Sequence, residues 1–188
     1  MTVRFLPRRR SVPVLLAIGA LVVGGLSGCS GQPGAAAVVD GREISVAELQ
    51  SATADLSPYL QNVTQSSVLM VLVVAPTFDK AAVAAGVGVS RQQAVDLIEK
   101  SAKSAADSGA APARATPFSE PAIDVIRFTI VQTNLKALPD GAAVSAAVAK
   151  QLGKLHAEVN PRYGKVDFTT GSITPLAYPW LVQATAAG

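Results

Sequence analysis

A single thiol is the most reactive side chain in this sequence. Cys29 is the only cysteine among 188 residues, and it follows Leu26, Ser27 and Gly28. A thiol can be alkylated, and the small side chains before it leave room for a peptidase at the preceding peptide bond. The pattern therefore predicts a modification site at Cys29 with cleavage just before it. No second cysteine remains for a disulfide or for thiol catalysis.

The segment before Cys29 is typical of a secretory signal. The first ten residues contain four arginines and no acid, and residues 11–25 form an uncharged stretch. As a helix at ~1.5 Å per residue this stretch reaches only ~22 Å, short of a hydrocarbon core of roughly 30 Å. Together with Leu26-Ser27-Gly28-Cys29 it resembles the lipobox of bacterial lipoproteins. We expect residues 1–28 to be a lipoprotein signal peptide, and an ordinary signal peptide is the alternative.

The lipobox resemblance implies a membrane anchor. Diacylglycerol and a further fatty acid such as palmitate on Cys29 would hold the protein at the extracytoplasmic face of the bacterial cell membrane. Residues 29–35, small and polar with one proline, would form the tether. If the cell has an outer membrane, Ser30 after the lipidated cysteine is compatible with sorting to it.

Cleavage also changes the charge of the protein. The full chain has 16 basic and 13 acidic residues and a formal net charge of +3. Four of the basic residues lie in the signal, so residues 29–188 carry 12 basic and 13 acidic residues. The positive charge that would suggest nucleic-acid binding disappears with the signal, and no nucleic-acid partner is expected.

The mature chain begins with a small β element and continues as amphipathic helices. Residues 36–39 and 42–44 predict two strands around a tight turn, and Ser45 with Glu48 predicts a capping box at a helix start. Further helix starts are predicted at these positions: Ser57 with Pro58, Ser90, Ser119, and the pair Asp140 and Gly141. We therefore expect a mainly α fold with about five helices.

One helix contains an unbroken apolar run, residues 68–75. The run is too short to span a membrane, and its β-branched residues make a buried strand the alternative. Pro76 must kink or end the helix, because proline lacks the N–H that the helical ladder needs. We expect a kinked central helix with little exposed surface.

The C-terminal part returns to short strands. Residues 157–159 and 165–168 alternate around Asn160-Pro161-Arg162-Tyr163-Gly164, where proline and glycine impose a turn. Residues 169–188, which include Trp180, are predicted to be a loose tail.

Taken together, these motifs resemble the SurA/PrsA-type extracytoplasmic foldases. The residues that carry the resemblance are Val38-Val39-Asp40-Gly41-Arg42-Glu43-Ile44-Ser45 with Glu48 and Leu49, then residues 85–90, then residues 159–165. It covers roughly residues 36–107 and 119–168. In this family the segment after the last helix returns as a strand to the N-terminal region. The resemblance therefore implies that the strands flanking residues 160–164 pair with the N-terminal strands and bring the two ends of the domain together. It implies a SurA N-terminal-like helical domain over residues 36–168 that holds unfolded segments of exported proteins in an apolar groove between helices.

The chain departs from this family in one respect. Many relatives carry parvulin-type prolyl isomerase domains of about ninety residues between the helices, and here only the loop 108–118 lies in that place. A parvulin site uses histidines with a cysteine or aspartate, whereas this chain has the single His156 and no free thiol. We therefore expect no isomerase, and no enzyme.

Two function classes remain open from the sequence. The first is a non-catalytic chaperone for unfolded or extended segments of exported proteins, and the second is a scaffolding lipoprotein that docks one cell-envelope complex. Arg162 and Tyr163 could form a recognition site, but a role in locking the turn is favoured, and His156 is interpreted as a capping or surface residue. No phosphate loop, metal-spaced cluster or triad predicts a cofactor, and no feature indicates the oligomeric state.

Overall fold

The structure is a computed structural model in which residues 34–176 are described. Within this range the helices are α1 Val46–Leu56, α2 Gln65–Ala84, α3 Arg91–Asp107, α4 Glu120–Lys136 and α5 Gly141–Leu152. The strands are β1 Ala35–Val39, β2 Arg42–Ser45, β3 Ala157–Val159, β4 Lys165–Asp167 and β5 Ser172–Thr174. This confirms the predicted mainly α fold of five helices with a small β element.

Two of the predicted helix starts are closed by reciprocal caps. At α1 the Ser45 N–H donates to the Glu48 carboxylate at 2.7 Å, and the Glu48 N–H donates to the Ser45 hydroxyl at 3.1 Å. At α3 Ser90 and Gln93 make the same pair of bonds at 2.8 and 3.2 Å. Each box satisfies N–H groups that the first helical turn leaves without a partner.

The predicted helix start at Ser57 and Pro58 is wrong. Ser57 is instead the C-cap of α1, and its N–H donates to the Thr53 carbonyl at 3.0 Å. The next helix begins at Gln65, after Thr64 and Ser67 have capped each other's N–H groups at 3.1 and 3.0 Å. A serine at the third helical position can thus accept the N–H of the N-cap residue, as Glu or Gln usually does in a capping box.

The apolar run 68–75 is helical, so the alternative of a buried strand is wrong. α2 does not end at Pro76 but continues to Ala84. Pro76 cannot donate to the carbonyl of Leu72, four residues before it. The guanidinium of Arg42 on β2 donates to that carbonyl at 2.8 Å instead. A residue outside the helix therefore satisfies the acceptor that proline leaves free.

α2 is the central element of the core. It packs against α1, α4 and α5 and also touches β1 and β5. By length and composition it could cross a membrane, but half of its most apolar window is buried inside the domain, and the core helices of soluble proteins meet the same criterion. Its buried residues are Val68, Leu69, Met70, Leu72, Val73, Val74, Ala75, Thr77 and Ala82.

The ends of the domain meet in a three-stranded antiparallel sheet with the order β2-β1-β3. Val38 lies opposite Glu158, and Val39 lies opposite Ala157. This confirms the predicted pairing for β3, the strand before the turn at residues 160–164. Ala35 already belongs to β1, and the Gly34 carbonyl accepts the Val46 N–H at 2.7 Å. The predicted tether 29–35 is therefore too long at its C-terminal end.

β4, the strand after the turn at residues 160–164, does not pair as predicted. β4 pairs with β5 and not with the N-terminal strands. β5 lies in the segment 169–188, where we predict a loose tail, so that prediction is wrong for residues 172–174. The rest of the predicted tail, from residue 177 and including Trp180, lies outside the described residues.

Loop 108–118 is held by a charged side chain from α1. Asp55 accepts from the Arg114 guanidinium at 2.6 Å and from the Ser119 N–H at 2.8 Å. Burial by itself raises the pKa of Asp55, but the hydrogen bonds from Ser119 and Arg114 and the charge of Arg114 leave that pKa below its ordinary value. Ser119 is the N-cap of α4, as predicted, although its hydroxyl makes no capping bond.

All described residues belong to one compact unit, Gly31–Gly188. Its main core joins side chains from all five helices with the buried faces of β1, β2 and β5. Because residues 31–188 form a compact unit of their own, we expect the chain from Ser30 onward to fold without the first 29 residues.

Candidate functional site

An open groove of about 660 Å³ lies between α2, one face of α4, the end of α5 and the hairpin of β4 and β5. The apolar lining residues are Met70, Val71, Val74, Phe78, Phe128, Leu152, Phe168 and Ile173. The polar lining residues are Thr64, Ser66, Ser67, Gln132, Thr169, Thr170 and Ser172, with Gly171 beside them. We call this the α2–β5 groove.

The floor of the α2–β5 groove follows from helical spacing. Residues 70, 74 and 78 recur every four positions on α2 and so form one row along the helix. Phe78 meets Phe128 of α4 edge to face, with ring centroids 4.9 Å apart. Gln132, one turn after Phe128, places an amide beside this apolar row. The floor is therefore apolar, with a single polar group on the α4 side.

The rim of the groove consists of hydroxyl groups. Thr64, Ser66 and Ser67 come from the start of α2, and Thr169, Thr170 and Ser172 come from the hairpin. None of the lining residues within the described part of the chain is charged. The groove therefore combines an apolar floor with neutral hydrogen-bonding groups at its edge.

The hairpin on the far side of the groove is shaped by Asp167. Its carboxylate accepts the N–H of Thr169 at 2.8 Å and the N–H of Thr170 at 3.3 Å. These backbone hydrogen bonds keep the pKa of Asp167 below its ordinary value. The turn therefore presents Thr169 and Thr170 to the groove and leaves the charge of Asp167 outside it.

The predicted turn motif, residues 160–164, connects the two sheets. The Asn160 side chain donates to the Ala35 carbonyl at 3.1 Å, and the Asn160 N–H donates to the Ala36 carbonyl at 2.9 Å. The Asn160 side-chain oxygen accepts the Arg162 N–H at 3.1 Å. These bonds attach the end of β3 to the start of β1.

The other residues of the motif complete the turn. Tyr163 is buried in the main core, and the Arg162 guanidinium lies 5.6 Å from the centre of its ring. Pro161 and Gly164 border a smaller pocket beside β4. None of the five motif residues lines the α2–β5 groove. Their contacts position the β4–β5 hairpin, which forms one wall of that groove.

The remaining candidate residues lie away from the groove lining or outside the described residues. Leu26, Ser27, Gly28 and Cys29 are outside the described residues. His156 follows α5 rather than ending it, and its N–H donates to the Asp40 carboxylate at 3.1 Å while its imidazole is 94% exposed. Among residues 34–176 no three His, Cys, Asp or Glu side chains gather as metal ligands.

Comparison with known proteins gave no match. No family model, no curated protein and no solved structure matches this chain. The resemblance to the extracytoplasmic foldases stays a prediction that rests on the quoted motifs.

Sequence reasoning missed most of the groove. It assigned neither Phe128 nor Gln132 nor the serines and threonines of the rim to a binding site. One signal was present, because a second strand close after Phe168 can turn back and form a wall. The segment Ser172-Ile173-Thr174 has the alternation of such a strand, but it is only three residues long.

Proposed function

We propose that this protein is a membrane-anchored, non-catalytic chaperone that holds extended, apolar segments of exported proteins. The α2–β5 groove is the observation that carries the proposal. Its volume of about 660 Å³ lies within the roughly 300–1,000 Å³ of ligand-binding clefts. An apolar floor suits side chains that an unfolded chain exposes, and the hydroxyl rim suits its main-chain amides.

The chemistry of the lining supports a holding function. The lining residues offer hydroxyl groups, one amide and apolar side chains, without a carboxylate, imidazole, thiol or amine. General acid–base catalysis needs a group that titrates near the working pH, and nucleophilic catalysis needs an activated nucleophile. The groove therefore fits binding and release better than a reaction.

The anchor belongs to the same proposal and is supported by the lipobox resemblance. Gly34, which is bonded to α1, lies five residues after Cys29, so at ~3.4 Å per residue the chain between them spans at most ~17 Å. Lipid on Cys29 would therefore keep the groove close to the membrane surface. Replacing Cys29 with alanine is expected to block both lipidation and cleavage. Mass spectrometry and detergent-phase partition of the expressed protein test this, and a processed, membrane-bound variant would contradict it.

The groove is tested by adding one charge to it. Gln132→Arg is expected to weaken binding of an uncharged apolar peptide about tenfold or more, because a cation in an apolar cleft must be desolvated when the cleft is filled. Fluorescence anisotropy of a labelled peptide, measured with the chain from Ser30 onward, gives the affinity. The same samples are then assayed by light scattering for delayed aggregation of an unfolded exported protein.

Gln50→Arg is the matched control. Gln50 is an exposed residue of α1 that does not line the groove, and replacing it with arginine changes the net charge of the protein by the same amount. We expect this variant to bind and to delay aggregation like the unchanged protein. Absence of peptide binding in the unchanged protein, or equal weakening in both variants, would contradict the proposal. Capture of one envelope protein with no effect on unfolded clients would favour the scaffold function instead.

A further inference from the structure

A second, smaller pocket of about 330 Å³ lies between β3 and β4, which belong to different sheets. We call it the β3–β4 pocket. The aliphatic and aromatic side chains that line it are all partly exposed, and they are Leu155, Ala157, Val159, Val166, Phe168 and Leu176. Most of them pack against the main core with one side. Their other side is therefore left to the pocket.

The described chain ends at the wall of the β3–β4 pocket. After β5, Pro175 lies against the turn that follows β3, since a Cβ built on Gly164 would be 3.1 Å from the Pro175 Cα. Leu176, the last described residue, lines the pocket and is 39% exposed. Trp180 follows four residues later, which is at most ~14 Å along the chain. The segment after Leu176 therefore starts at the pocket and is long enough to cross it.

The sequence of this segment has the chemistry that the pocket requires. Residues 177–182 read Ala-Tyr-Pro-Trp-Leu-Val, and residues 168–188 contain no charged side chain. Lys165 is the single charged residue among the described lining residues, and an ammonium group is attracted to the face of an aromatic ring. Pro179 restricts the backbone on both of its sides, so that docking of this segment costs less conformational entropy.

We propose that residues 177–182 fold back over the β3–β4 pocket and that Trp180 fills it. A side chain of this kind can bury about 150–250 Å² of surface, and here it covers partly exposed side chains of both sheets. Phe168 lines this pocket and also the α2–β5 groove, so the docked segment braces the wall of the groove from behind. The docking does not depend on the proposed function, and it replaces the loose tail that the sequence predicts for these residues.

Cysteine labelling tests the docking, because the chain from Ser30 onward contains no cysteine. Ala157→Cys places one thiol in the pocket lining with a small change in size. Its rate of reaction with N-ethylmaleimide is measured by mass spectrometry in this variant, and after adding either Trp180→Ala or Gln183→Ala. Trp180→Ala is expected to accelerate labelling about tenfold or more, because the thiol then no longer waits for the pocket to open. Gln183→Ala, the control just outside the docked segment, is expected to stay within about twofold.

The fluorescence of Trp180 is a second measurement, and it needs no substitution because this is the only tryptophan. We expect emission at shorter wavelength and weaker quenching by acrylamide than in the urea-unfolded chain. Tryptophan emission and quenching equal to those of the unfolded chain would overturn the proposal. Equal labelling rates with and without Trp180 would overturn it as well, even if the tryptophan is shielded, because the segment then lies elsewhere. Protection that grows with protein concentration would assign the pocket to the same segment of a second copy and would also contradict it.

Discussion

Gly164→Ala is expected to destabilise the domain by about 3 kcal/mol or more, among the larger effects of a single substitution. Gly164 has φ +116°, where side chains are strained. A Cβ at this position would lie 2.7 Å from the carbonyl carbon of Thr174 and closer still to its oxygen. The turn after β3 and the strand β5 would have to move apart. Urea unfolding followed by circular dichroism measures the loss.

Gly171→Ala is the control for Gly164→Ala. Gly171 also has positive φ, +65°, but a Cβ there would meet no atom within 4 Å. Only the backbone strain of about 1–2 kcal/mol is expected. A larger loss in Gly164→Ala therefore reports the contact between the turn and β5 together with the greater backbone strain at φ +116°. Equal losses would show that β5 does not pack against Gly164 in solution.

Arg42→Ala is expected to lower the free energy of unfolding by about 2 kcal/mol, because it leaves the Leu72 carbonyl without its hydrogen-bond donor, the Arg42 guanidinium. The cost should depend on Pro76. In a Pro76→Ala background residue 76 regains an N–H, which can donate to the Leu72 carbonyl as in any helix. In this background Arg42→Ala is expected to lower the free energy of unfolding by only about 1 kcal/mol or less.

The double-mutant cycle isolates this contact from the other effects of Arg42. Burial raises the pKa of Asp124 overall, and the positive charge of Arg42 is a smaller influence that lowers it. This second interaction is present in both backgrounds and cancels in the cycle. Chemical unfolding of the four proteins gives the coupling energy, expected to be about 1 kcal/mol. A coupling energy of zero would contradict the assignment of Arg42 as the substitute donor.

Local signals in the sequence predicted most of the helices. The starts of α1 and α3 were predictable because a capping box lies within four residues and needs no tertiary contact. Ser57 and Pro58 gave a wrong prediction because a serine before a proline is a frequent helix start but is also compatible with a helix end. In the structure Ser57 is the C-cap of α1. The start of α2 was missed because Ser67 stands where the usual box has Glu or Gln.

The long-range features were only partly predictable. The pairing of β1 with β3 followed from the resemblance, but β4 turned to β5 because a hairpin partner lies only five residues away. The α2–β5 groove needs α2, α4 and this hairpin together, so no single segment indicates it. Pro76 indicated an unsatisfied carbonyl at Leu72, but no local rule pointed to Arg42 as its donor.

The place of β1 at the middle of its sheet has a consequence for the order of folding. β1 can pair with β2 at once, but its other edge waits for β3, which comes more than a hundred residues later. Closing so long a loop is slow, because its entropic cost precedes the contacts that compensate for it. A two-stranded hairpin alone is marginally stable in water. Under the proposed export with the N-terminus first, β1 would therefore wait for its second partner until residue 159 has crossed the membrane.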